Sequence, residues 1–472
     1  MSAQDSGGVM LSADARVAED VVPAARRLAK DLEARISGRK VLVTDSLPAV
    51  STSSLPALRA YALARRAAAQ GDRWQAVTLG LAAVGFDSTF AMAHYLLGDQ
   101  FWFLDRQSQS DFHLTRAVRL SDRLPLRERL AARARYMHIV RDDLDSASSY
   151  WSQLVAAYPR EALGYEGRAW THRAAGKPVD AYYAADSALQ LDPDAKSPNE
   201  NNKLQALLDS RPGGHLDTTA ALAFAESLGP WAIVQARRAT AMERHDWDAA
   251  LRSIDEIYPP MPRCGSYWAA PLRQSVLLAA DRTSDAAREL EVMLCWARGP
   301  GWPLAQMYLP NALLLQGRAE VGDEGTRERA LRYAIRALDF VDSADISIPA
   351  VARLAERAAD IGARGNDQTI VARARLLVVT RDAGRALQSY RLALLAIDAA
   401  DALRRGDMKT AAELARRSRQ RTFHGRALDI VTLIEADALA ALGERIRADS
   451  LYHEARAPGA FLIRRPALRR AS

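Results

Sequence analysis

The stretch EALGYEGRAWTHRAAGKPVDAYYAADSALQLDP, Glu161 to Pro193, decides the fold. Ala169, Ala181 and Ala188 are small side chains spaced as two crossing helices need them. Helices packed at about 10 Å tolerate nothing larger where their axes meet. Gly176 supplies a turn between them, and Pro193 ends the second helix because it cannot continue the hydrogen-bond ladder. The unit recurs: Ala147 and Ala181 are 34 residues apart, as are Pro159 and Pro193, Ala83 and Ala117, and Ala76 and Ser110. A period shared by several such features predicts a helix–turn–helix repeat, each copy packing on its neighbours. The expected fold is all-α, a right-handed solenoid of about ten helical hairpins.

Bulk composition agrees. With 49% apolar, 26% charged and only 7% aromatic residues, and few β-branched runs, the 472-residue chain favours helices over sheets. A solenoid also explains how so long a chain finds a core, since its core grows lengthwise. Net charge is +7, but Arg464, Arg465, Arg469 and Arg470 lie in the final residues, and without those four it falls to +3. No interleaving of basic and aromatic residues suggests RNA binding, and no nucleic-acid partner is expected. No run of about 18 apolar residues is present, and Met1 to Gly8 lacks a charged leader with an apolar core, so neither membrane insertion nor a secretory signal is expected.

Working outward, residues 1–12 are expected to be disordered, Ala13 to Ser37 an amphipathic helix, and residues 41–52 (VLVTDSLPAVST) extended. Hairpins follow at 55–86 (turn Gly71-Asp72), 90–120, 126–158 and 161–193. Residues 197–228 read as a degenerate hairpin, with a hinge between two solenoid halves as the alternative. Less regular hairpins turn at His245-Asp246, near Asp281, at Gly322–Gly325, at Gly362–Asn366, at Gly406-Asp407 and at Gly443. The division is thus 1–54 lead-in, 55–193 regular repeats, 194–229 degenerate hairpin, 230–457 irregular repeats and 458–472 basic tail.

Across roughly 55–455 these hairpins resemble tetratricopeptide repeats, most specifically in 55–193. More narrowly, LPAVSTSSLPALRAY (Leu47 to Tyr61), then GDRWQAV and FDSTFAMAHYLLG, resemble the C-terminal region of bacterial membrane-anchored serine/threonine kinases. Similar arrangements occur in some adenylate cyclases and winged-helix regulators. The resemblance implies a binding scaffold or sensor. It also implies two alternatives: the extracytoplasmic regulatory half of such a kinase, or the inducer-binding region of a transcriptional regulator. The chain shows no Gly-rich phosphate loop, HRD loop or DFG site, so it is not itself a kinase.

Catalytic signatures are missing more generally: no P-loop, G-x-S-x-G or H-E-x-x-H. His94, His113, His138, His172, His215, His245, His424 and His453 are scattered, and are expected on helix surfaces. Asp142-Asp143 and Asp246 with Asp248 sit where Asp caps helices. No active site, metal or cofactor is expected. Cys264 and Cys295 fall at the start and end of one hairpin, whose midpoint matches the turn near Asp281, so a disulfide at its base is possible. Two buried thiols are the alternative.

In such solenoids the first helix of each hairpin faces the concave groove. Projection places Tyr61, Arg65, Tyr95, Trp102, Arg129, Tyr136, Glu166, Trp170 and Arg173 there. Aromatic residues and Arg are enriched at binding hot spots, and such a groove suits a peptide or a helix. Filling gaps between repeats is the competing role for the aromatic residues. The Lys/Asn clamp of chaperone-binding repeats is not matched, since Tyr61 and Arg65 hold its projected positions.

Overall fold

A computed structural model of the chain describes residues 2–4, 10–12, 52–192, 203–208, 218–256, 258, 269–297, 303–419 and 428–455. From residue 55 onward the described elements are helices arranged as successive hairpins. The first pairs are α1 (Leu55–Ala69) with α2 (Arg73–Phe86), and α3 (Ala91–Phe103) with α4 (Gln107–Arg119). A 3-10 turn at Ser121–Arg123 leads to α5 (Leu126–Ile139) and α6 (Leu144–Ala157), then α7 (Ala162–Ala174) and α8 (Pro178–Leu191). A short helical stretch at 203–208 precedes α9 (Thr218–Leu228), α10 (Pro230–Glu243) and α11 (Trp247–Asp255). Then come α12 (Ala269–Ala279), α13 (Thr283–Ala297), α14 (Pro303–Glu320), α15 (Arg327–Ser343), α16 (Ile348–Arg364) and α17 (Gln368–Asp382). The last hairpins are α18 (Gln388–Arg404) with α19 (Met408–Arg419), and α20 (Leu428–Ala441) with α21 (Arg445–Ala455). The chain divides into two compact units, residues 1–104 with 109–133, and residues 105–108 with 134–472.

One turn chemistry recurs at the tips. A residue in the left-handed region ends the first helix: Gly71 (φ 82°), Asp142 (φ 50°), His245 (φ 56°), Asn366 (φ 58°) or Gly406 (φ 80°). The next residue is Asp in each case, and its carboxylate accepts from the first turn of the second helix. Asp72 takes Gln75 N–H at 3.0 Å, Asp143 takes Ser146 at 2.9 Å, Asp246 takes Ala249 at 2.9 Å and Asp407 takes Thr410 at 3.1 Å. The Asp backbone N–H meanwhile closes the helix behind it, as from Asp72 to Ala67 O at 3.0 Å and from Asp407 to Ala402 O at 2.9 Å. Each tip thus satisfies orphan carbonyls of one helix and orphan N–H groups of the next.

Small residues set how closely helices approach. A Cβ on Gly98 would stand 2.5 Å from Leu114 Cγ, and one on Gly164 would stand 2.6 Å from Leu154 Cδ2. In the first unit Ala57, Ala60, Ala83, Phe90 and Ala93 form the core around Tyr61 and Leu58. In the second, the largest core runs through α12 to α20, with Leu313, Ala334, Ala355, Val378, Ala396 and Ile434 among its members. The alanines carrying the 34-residue period, Ala76, Ala83, Ala117, Ala147 and Ala181, are fully buried.

Two expectations are corrected, and three fall outside the described residues. Within the segment expected to be disordered, residues 2–4 and 10–12 are strands: β1 (Ser2–Gln4) and β2 (Met10–Ser12) pair antiparallel, with Ala3 opposite Leu11. Val9-Met10-Leu11 is strand-prone sequence, and Gly7-Gly8 lies between the strands. The turn expected from Gly362 begins at Gly365 instead, because Gly362 sits inside α16 with Ile370 where its Cβ would be. The expected helix at 13–37, the extended segment at 41–51 and the basic tail lie outside the described residues.

Candidate functional site

The projected groove residues fall in both units. In the first, Tyr61 on α1 is half-buried, its ring 4.9 Å from that of Phe90. Burial raises the phenol pKa. Arg65, one turn further on, donates to the phenol oxygen and pulls it back, while Glu128 and Arg127 act on it from α5. Arg65 is exposed, and Tyr95, Trp102 and Arg129 are half-buried. Trp102 meets Phe103 edge-on at 5.1 Å, and the Arg73 guanidinium lies 3.8 Å over Phe103. The first unit therefore joins Tyr61 to Arg65 directly, and gives Trp102 an aromatic neighbour that carries a cation.

In the second unit Tyr136, Glu166, Trp170 and Arg173 are all half-buried. Three residues apart on α7, Arg173 and Trp170 share one face, with the guanidinium 5.0 Å from the indole. His138 sits on the interior side of α5, with the Thr171 hydroxyl 3.5 Å from its Nδ1. Burial foremost, then Arg135 and Arg173, drive its imidazole pKa down to about 3. His172 is lowered too, by burial first and then by Arg168. Both histidines are thus neutral near pH 7, and the charges lowering His138 are both positive. Here α7 sets the partly exposed Trp170 ring beside the Arg173 guanidinium, and α5 carries the half-buried Tyr136.

The histidines correct the surface expectation, because His94, His113 and His138 are buried. His94 and His113 face each other across α3 and α4 with Nδ1 atoms 2.9 Å apart. His94 Nε2 lies 3.1 Å from Ser88 O and donates to it. His94 Nδ1 is then an acceptor, and His113 Nδ1–H is the donor. Phe101 stacks on His113 at 5.5 Å. Burial lowers both imidazoles, His113 to about 4, so the pair is a neutral hydrogen-bonded core element. Among the described residues no three His, Cys, Asp or Glu side chains come together to hold a metal ion.

A buried ionic network was also not legible in the sequence. Arg318 on α14 pairs with Asp360 on α16 at 2.6 Å, and Arg364 reaches Asp360 at 2.9 Å and Asp437 on α20 at 2.7 Å. Tyr452 donates to Asp437 at 2.6 Å. Asp360 and Asp437 are thus each held by buried partners on neighbouring helices, as charges taken out of water must be. Cys264 lies outside the described residues. Among the described residues no cysteine is a free thiol, and no helix is long and apolar enough to cross a membrane.

No protein-family profile matches the chain, and no curated protein does. Among solved structures, the chain is similar to the crystal structure of yeast Tom70, at 12% identity with a TM-score of 0.37, covering 91% of this chain and 96% of that one. It is also similar to the crystal structure of the P58(IPK) TPR domain, at 15% identity with a TM-score of 0.23, covering 82% and 98%. At these scores neither likeness bears on function, and the repeat architecture stands on the hairpins themselves.

Proposed function

We propose that this chain is a non-catalytic binding scaffold that holds a peptide or helical segment of another protein against the first helices of its hairpins. The observation that carries the reading is on α5 and α7 of the second unit. There Trp170 and Tyr136 are half-exposed, Arg173 lies against Trp170, and His138 stands in a positive field. Rings beside guanidiniums suit a segment carrying acidic and apolar side chains. Alanine substitution of Trp102, Tyr136, Trp170 and Arg173 together should weaken partner capture, with the helical circular dichroism unchanged. Undiminished capture by the folded quadruple variant overturns the assignment.

A second reading rests on the stretch Leu47 to Tyr61 and its resemblance to kinase-linked repeats: the chain is the sensing half of a signalling protein. An adjacent reading frame encoding the kinase motifs and a spanning helix supports it, and an unrelated neighbourhood counts against it.

A further inference from the structure

Two aspartates of the second unit reach across more than 200 residues to the second position of a distant helix. Asp345, between α15 and α16, accepts from Ser108 N at 2.9 Å and from Ser108 Oγ at 2.8 Å. Asp142, at the α5–α6 tip, accepts from Ser389 N and lies 3.0 Å from Ser389 Oγ. The second contact supplies something α18 lacks. The residue at its N-cap is Leu387, which offers no side-chain acceptor. Asp382 satisfies the N–H groups of Ala386 at 3.0 Å and Leu387 at 2.8 Å, before the helix begins. Asp142 is therefore the cap that α18 does not carry in its own sequence.

The contact is also buried: Asp142 is 5% exposed. Three groups face it. Ser389 bonds it from α18, Arg385 acts on it from the α17–α18 turn, and Asp143 stands beside it on its own turn. Asp143 is engaged elsewhere, accepting from Ser146 N at 2.9 Å and Ser146 Oγ at 2.7 Å.

We propose that the α5–α6 tip and the start of α18 form a proton-coupled latch, seated while Asp142 is neutral and loosened when it is charged. A neutral carboxyl keeps both bonds, since its carbonyl oxygen accepts Ser389 N–H and its hydroxyl donates to Ser389 Oγ. A carboxylate in the same place pays desolvation that one serine and one arginine do not repay. Burial, helped by Asp143 and opposed by Ser389 and Arg385, pushes the Asp142 carboxyl up from 3.8 to about 6. The sign follows. The seated group binds its proton more tightly than the free one, so acid favours the latch, and raising the pH through about 6 weakens it. The seating equilibrium shifts by about tenfold between pH 8 and pH 5.

The test is amide hydrogen exchange on the full chain from pH 5 to pH 8, corrected for intrinsic rates, read on peptides covering 139–146 and 386–392. Protection there should rise about tenfold as the pH falls, while peptides from α1 stay level. Asp142→Asn, which mimics the neutral acid, should hold the acid-side protection at every pH. Ser389→Ala should lower protection throughout. Wild-type protection that is flat or rises with pH overturns the latch, as does an Asp142→Asn variant less protected than wild type at pH 8.

Discussion

Gly167 offers a substitution whose outcome the packing decides. It lies on α7 against Trp151 of α6, whose ring is 1% exposed. A Cβ there would stand 2.6 Å or less from three indole atoms. The ring has little room to yield. Gly164, one turn earlier, is already closed against Leu154 and Val155, and the indole Nε1 is buried with no hydrogen-bond partner. In Gly167→Ala, α7 must therefore move away from α6. Overpacking of this kind costs about 1–3 kcal/mol, and a rigid ring places it near the upper end. Alanine returns about 1 kcal/mol in helix propensity. The net expectation is a loss of about 2 kcal/mol. Gly85 on α2 is the matched control, with nothing within 4 Å of its Cβ position. Gly85→Ala should gain up to about 1 kcal/mol. Urea unfolding, followed by far-ultraviolet circular dichroism and tryptophan fluorescence, reads both as opposite shifts in midpoint. A Gly167→Ala midpoint at or above wild type refutes the close α6–α7 crossing.

Two other outcomes follow from buried groups. Burial, only partly offset by Arg353 and Arg357, pushes the Glu356 carboxyl from 4.5 up to about 7. Its folded pKa lies above its unfolded one, so stability is greatest below about 4.5 and is lost as the pH rises through about 7, by about 3 kcal/mol in all. Glu356→Gln should be more stable than wild type at pH 8 and lose that advantage by pH 4.5 in urea titrations; an advantage that grows in acid contradicts the burial argument. The proposed Cys264–Cys295 bridge predicts no alkylation of the unreduced, denatured chain in intact mass spectra and two adducts after reduction. Adducts before reduction remove it.

How much of this was written in the sequence depends on range. Turn tips were legible because an αL residue followed by Asp is local chemistry, and Gly71-Asp72, His245-Asp246 and Gly406-Asp407 form the turns their residues demand. Helix crossings were legible because a period of 34 exposes the alanines that must be small. Contacts spanning several repeats were not. Asp142 reads as a second capping residue at a turn, and only the fold shows that Asp143 caps α6 while Asp142 reaches Ser389. His94 and His113, 19 residues apart, gave no signal by spacing, although their places on facing helices of one hairpin could have raised the pairing. The Arg318–Asp360–Arg364–Asp437 network joins helices across more than 100 residues, and ordinary surface charges have the same composition. The groove projection grouped Trp170 with Arg173 but named no contact between them, and it did not show that most of the set would be half-buried, because a helical projection gives a face and not what packs on it.

The central claim, that a partner binds the first helix of each hairpin, is tested most directly by hydrogen exchange of the chain with and without its captured partner. New protection is expected on α5 and α7, in peptides covering 134–139 and 165–174, with α6 and α8 unchanged. Protection confined to α6 and α8, or to neither pair, contradicts it.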